Sequence, residues 1–378
     1  MSVVARQTRR RWTVVAAGAA ILLAVPTLLP YAAQLTDRKM AVQASATSLL
    51  DRALATPVPH TGLAETRGAL GLPDLPRLAG VADVLGSTTR TRVWWSSATA
   101  WRVDTLTATG EHGAYVDGPH VVVWDYERAE LTQVAHTEGA RLPRIDDLLP
   151  PQAARLALQG VDTDDGAELL GTRRIAGRSA TGLSVEPGDP RTTVRRIELW
   201  VDDASGLPLE LRLDGLDGSA ALTSRFLDLD VGEPPRTVLT PPAPGPGVER
   251  ERDAPDLASL ADSESPWVLP QQLQGLPSSR SAAGGVVAYG SGVTRFVVLP
   301  LPDRLAQRVL SAARTAGAVE LDLVGGQGAL VGTPLVNAVA VRDYEARHAY
   351  LIAGPVTPEL LTEAADELLA NAPAGRRR

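Results

Sequence analysis

Three segments near the middle of the chain alternate apolar and polar side chains with a period of two. Ile197, Leu199 and Val201 alternate with Arg196, Glu198, Trp200 and Asp202; Leu209, Leu211 and Leu213 with Glu210, Arg212 and Asp214; Leu227, Leu229 and Val231 with Asp228 and Asp230. Period-two patterning predicts strands with one buried and one wet face. Asp203-Ala204-Ser205-Gly206 and the stretch from Asp214 to Gly218 supply turns, so the three form an antiparallel meander. Upstream, residues 91–95, 99–108 and 120–126 are rich in Val, Thr, Trp and Tyr and read as strands. Residues 42–54 predict a short amphipathic helix stopped by Pro57 and Pro59, and residues 142–159 predict a second helix.

The pattern breaks at residues 232–255, where Pro241-Pro242-Ala243-Pro244-Gly245-Pro246-Gly247 and a charged run from Glu249 to Asp253 describe an extended linker without a core. Beyond it, residues 286–289, 293–299, 319–324, 335–342 and 349–353 read as strands and residues 303–316 as a helix. A last helix opens on Thr357 as N-cap and Pro358 at its first position. The other end of the chain is different again. After Arg6, Arg9, Arg10 and Arg11, residues 13–33 run 21 positions without a charge, enough to span a bilayer with the N-terminus in the cytoplasm. A cleaved signal peptide is the alternative, but a cut after Ala33 would leave Tyr31 at the −3 position, where a small residue is needed. The expected organisation is therefore a basic tail (1–12), a transmembrane anchor (13–33), an antiparallel domain (41–232), a Pro-rich linker (233–265) and a small α+β domain (266–372).

Composition narrows the chemistry. The formal net charge is −7, and −11 without the four N-terminal arginines, which argues against binding nucleic acid. Cysteine is absent, excluding disulfides, thiolate metal sites and a lipidated cysteine. The five histidines show no zinc spacing, and neither a GxSxG elbow nor a GxxxxGK[ST] loop is present. Gly325-Gly326-Gln327-Gly328 and Gly290-Ser291-Gly292 fit hairpin turns better than phosphate loops. Asp162, Asp164 and Asp165 precede Gly166 without the terminal glutamate of a calcium loop. No cofactor and no catalytic constellation are expected.

The blocks Thr91-Arg92-Val93-Trp94-Trp95, Ala100-Trp101-Arg102-Val103-Asp104, Tyr115-Val116-Asp117-Gly118, Val123-Trp124-Asp125-Tyr126, Glu198-Leu199-Trp200-Val201-Asp202 and Gly206-Leu207-Pro208-Leu209, in this order, resemble the pattern of the LolA/RseB (MucB) type of exported protein. The element from Tyr289 to Val298 and the stretch from Gly332 to Ala353 resemble the smaller second domain of the RseB group. The resemblance implies an α+β fold: an antiparallel half-barrel wrapped on helices, followed by a smaller α+β domain. It further implies a cavity between sheet and helices that binds an acyl chain, and an exported partner such as an anti-sigma factor. Trp94, Trp101, Val103, Val123, Leu199, Leu211 and Leu229 are the expected cavity residues, each also readable as plain core. A tethered regulator that senses lipid or an envelope protein is the leading reading; a lipid or lipoprotein carrier is the second, and a hydrolase the third.

Overall fold

The structure is a computed structural model and describes residues 45–68, 88–106, 110–117, 120–127, 129–135, 145–159, 161, 167–242, 249–252, 269–280, 286–315, 317–345 and 348–371. The anchor expected at 13–33, the acidic loop at 162–166 and much of the linker lie outside the described residues. No helix among the described residues is long and apolar enough to cross a membrane.

A helix at residues 45–54 (α1) opens the larger unit. Six strands follow: β1 (His60–Gly68), β2 (Thr88–Ser97), β3 (Ala100–Leu106), β4 (Glu111–Asp117), β5 (His120–Asp125) and β6 (Glu130–Ala135). A 3-10 turn (Ile145–Leu148) leads into α2 (Pro150–Leu158). Then come β7 (Glu168–Ile175), β8 (Arg178–Val185), β9 (Val194–Asp202), β10 (Pro208–Gly215), β11 (Ala220–Val231) and β12 (Glu249–Arg252). They form one twelve-stranded sheet, ordered β12-β6-β5-β4-β3-β2-β1-β11-β10-β9-β8-β7. The pairing of β1 with β11 brings His60 opposite Val231 and joins the two runs of hairpins. A sheet of this width with several bulges curls rather than lying flat.

The expected meander is present, with Ile197, Leu199, Val201, Leu209 and Leu211 at most 1% exposed. It departs from strict alternation at several bulges, one of them in β11. Leu63 faces Asp228 while Ala64 faces Phe226, so Leu227 is an extra residue in a bulge. Phe226 therefore joins Leu229 in the core, and Leu227 is only half-buried. The expected wet face is also partly covered: Trp200 lies beneath the Arg173 guanidinium, 3.8 Å from its ring centre, and Asp202 is held by Arg178 at 2.9 and 3.0 Å.

Three other expectations change. The second predicted helix starts as a 3-10 turn, because Pro150 lacks the N–H to continue a preceding helix and instead opens α2. A strand not anticipated, β4, pairs with β3 and β5. Within the predicted linker, β12 pairs parallel with β6, so part of that charged run is taken into the sheet edge by its backbone.

The smaller unit contains β13 (Gln272–Leu273), β14 (Leu276–Arg280), β15 (Val287–Ser291), β16 (Thr294–Pro300), α3 (Asp303–Thr315), β17 (Val319–Leu323), β18 (Gly326–Gly332), β19 (Asn337–Asp343), β20 (Ala349–Gly354) and α4 (Pro358–Ala370). Its eight strands are ordered β13-β14-β15-β16-β20-β19-β18-β17. Helix α4 sets Leu361, Ala364 and Ala365 in one cluster with Val339, Val341 and Ile352, whereas α3 sets Leu310 and Ala313 against Ala329 and Ala340. Because Ala340 alternates with Val339 and Val341, the two helices cover opposite faces. Thr357 caps α4 as expected, its side chain accepting from the Leu360 N–H.

The loop after β8 fastens the two units together. The Thr192 hydroxyl donates to the Val293 and Pro355 carbonyls at 2.8 and 3.0 Å, the Thr193 hydroxyl donates to the Leu335 carbonyl, and the Thr357 N–H donates to the Arg191 carbonyl at 2.8 Å. Two glycines permit the close approach. A Cβ on Gly215 would lie 2.7 Å from the Pro334 carbonyl oxygen, and one on Gly292 would lie 2.7 Å from that of Gln159.

Candidate ligand-binding face

Residues directly opposite in an antiparallel ladder share a face, so the register defines the two sides of the larger sheet. One row runs Val123, Ala114, Val103, Val93 and Gly62, with Leu229 opposite Gly62. The same side continues through Ala64 and Phe226 to Ser224, Leu211, Leu199 and Leu183. This inner face has two halves. In the first, Leu183, Leu199, Leu211 and Leu213 cluster with Ala46, Leu49 and Leu50 of α1 and with Ala153, Ala154, Ala157 and Leu158 of α2; Val293 and Leu335 of the smaller unit join them.

The second half is lined by rings. His60, Trp95 and Trp101 sit opposite one another on β1, β2 and β3. The indoles of Trp95 and Trp101 stack at 6.1 Å with 8° between planes; the imidazole of His60 stacks on Trp95 at 6.3 Å and meets Phe226 edge-on at 5.6 Å. His60 is fully buried. Its Nδ1 lies 2.7 Å from the Val58 carbonyl, an acceptor, so in the neutral ring Nδ1 carries the proton and Nε2 offers a bare lone pair. Burial pushes the His60 pKa down to about 4, against the weaker opposing pull of the Val58 carbonyl. Nε2 of His60 and Nε1 of Trp95 are both buried with no hydrogen-bond partner. The same holds for both side-chain polar atoms of Gln152 in α2, one turn beyond Leu149, which packs in the ring-lined cluster.

Of the residues expected to line a cavity, Trp101, Val103, Val123 and Leu229 belong to the ring-lined half, and Leu199 and Leu211 to the helix-covered half. Trp94 is a correction. It pairs with Arg102, one step out of phase with Val93 and Val103, and therefore faces the outer side, where the Arg102 guanidinium sits 4.8 Å above its ring and 4.9 Å from that of Tyr115. The Tyr115 phenol is shifted upward, chiefly by burial and then by its contact with the Tyr126 hydroxyl. His60, Phe226 and Gln152 were not anticipated, since nothing in the local pattern distinguishes them.

A groove of about 400 Å³ lies beside α1, lined by Ser45, Ser48, Leu49, Arg52, Leu169 and Thr181. The seven expected residues are not among its lining. His112 pairs with Asp125 at 3.3 Å and His348 with Asp343 at 3.0 Å. Among the described residues no three His, Asp or Glu side chains gather closely enough to hold a metal ion.

The family model of the MucB/RseB N-terminal domain matches residues 144–244, a stretch that includes the 3-10 turn, α2 and β7 to β11. Among solved structures, the chain is similar to MucB in complex with MucA(peri), at 18% identity over 85% of this chain and 96% of that one, with a TM-score of 0.45. It is likewise similar to the Pseudomonas aeruginosa MucA/MucB complex (18% identity, 85% and 97% covered, TM-score 0.47) and to a LolA superfamily protein from Nitrosomonas europaea (14% identity, 52% and 97% covered, TM-score 0.24). No curated protein matches it. The family likeness is thus that of residues 144–244 to the MucB/RseB N-terminal domain.

Proposed function

We propose that this chain is an extracytoplasmic RseB-like sensing protein, held at the membrane by residues 13–33, that binds an acyl lipid on the inner sheet face and engages an envelope protein such as an anti-sigma factor. It acts by binding and not by catalysis. The observation that carries the reading is the inner face itself: a continuous apolar surface, half covered by α1 and α2 and half lined by rings, within a unit that contains the MucB/RseB match. Each lipid methylene moved from water onto such a surface contributes about 0.8 kcal/mol. A carrier that shuttles between membranes would have to leave its anchor, which favours the tethered sensor.

Native mass spectrometry of the full-length chain, taken from the membrane of the cell that makes it, tests this. The expected result is an added mass of an acylated molecule or a co-purified envelope protein, with the chain resisting alkaline extraction. A chain that is extracted without detergent, alone and carrying no ligand, overturns the reading.

A further inference from the structure

We infer that the His60–Trp95 pair is the polar anchor of the inner face, a subsite that takes the hydroxyl group of a bound lipid. The inference rests on the lipid reading above and deepens it by naming the chemical group recognised. Its starting point is the pair of unpartnered atoms. The Val58 carbonyl accepts from Nδ1 of His60, which leaves Nε2 as an acceptor, and Nε1 of Trp95 is a donor. An acceptor and a donor stand on stacked rings of neighbouring strands, directly opposite in the ladder. A hydroxyl is the smallest group that answers both, donating its proton to the imidazole and accepting from the indole. A carboxylate or phosphate diester lacks the proton for Nε2, and an ammonium lacks the lone pair for the indole N–H.

The surroundings favour a lipid as the bearer of that hydroxyl. The pair is enclosed by Trp101, Phe226, Val93, Val103 and Leu229, an apolar setting suited to a chain. Buried polar atoms without partners are costly to keep, and the cost is largest in such surroundings. His60 is fully buried, so a ligand reaches it by parting its neighbours, and the two hydrogen bonds made on arrival favour that opening.

The test uses the full chain in a non-ionic detergent and two probes of equal chain length, 1-tetradecanol and its methyl ether, which retains the oxygen and loses the proton. Binding is read from displacement of a fluorescent fatty acid and from the indole N–H resonance of Trp95, assigned with Trp95→Phe. The expected result is roughly tenfold tighter binding of the alcohol, in keeping with one additional buried hydrogen bond, together with a shift of the Trp95 indole signal. His60→Phe, which keeps an aromatic ring in the stack, is expected to reduce the preference to below about twofold. Equal affinities in the native chain, as when an ordered water already satisfies both atoms, overturn this inference alone, as does a preference that survives His60→Phe. Failure of both probes to bind overturns it together with the lipid reading.

Discussion

The two halves of the inner face are built from the same ladder but finished differently. Against α1 and α2 the sheet presents leucines, whose contribution is complete once they are packed. Around His60 it presents rings that bring polar atoms into the apolar interior and leave two of them without partners. Aliphatic packing is what a core needs for stability. Rings with unspent hydrogen-bonding capacity lower stability, and the subsite proposed above lies in the half of the face that carries the His60–Trp95 pair.

The contrast can be broken by experiment. Leu199→Ala, at a residue 1% exposed, is expected to cost about 3 kcal/mol in denaturant unfolding. A loss below about 2 kcal/mol, less than the transfer term alone, would show the aliphatic half to be loosely packed. The ring-lined half should instead show itself through acid. The His60 pKa is about 4 in the fold against 6.5 ordinarily, so the fold favours the neutral ring. Its full contribution is present above pH 6.5 and is lost as the pH falls toward 4, a difference of about 3 kcal/mol between these limits. Unfolding curves across this window should show that slope in the native chain and not in His60→Phe; parallel curves would show that His60 titrates as in water.

The junction to the smaller unit tests whether the aliphatic half extends beyond its own sheet. Thr192→Val removes one hydroxyl that serves two buried carbonyls and is expected to cost about 2 kcal/mol. Hydrogen exchange should show both units loosening together; loosening confined to one would separate them. The smallest effect should come from Trp95→Phe. Loss of indole area is offset by removal of an unpartnered N–H, leaving a change within about 1 kcal/mol. A loss as large as that of Leu199→Ala would erase the distinction between the halves.

Much of the fold was legible because local rules decided it. The meander around Leu199 and Leu211 announced itself by alternation, and α4 by its Thr357 cap and Pro358. What stayed hidden depended on partners far away in sequence. Strand β4 carries Gly113, His112 and Tyr115 in place of a branched apolar stripe, and β18 begins with Gly326 and Gly328, which read as a turn. The bulge at Leu227 is imposed by β1, more than 160 residues upstream, and it alone brings Phe226 onto the inner face. The misplacement of Trp94 has a simpler origin. Trp94 and Trp95 are adjacent, so only one can point inward, and the ladder to Trp101 decides which. His60 has meaning only once Trp95 lies beside it, so no reading of the residues around it finds the pair.

The loop from Asp189 to Thr193 imposes an order on how the molecule comes into being. Its hydroxyls and backbone wait for carbonyls at Val293, Leu335 and Pro355 and for the N–H of Thr357, groups synthesised 101 to 166 residues later. Until residue 335 has been made, the leucine-lined half of the larger sheet lacks at least Leu335, and before residue 293 it lacks Val293 as well. The larger unit is therefore finished by residues of the smaller one, and a nascent polypeptide halted before residue 335 would expose an incomplete core to whatever quality control surveys it.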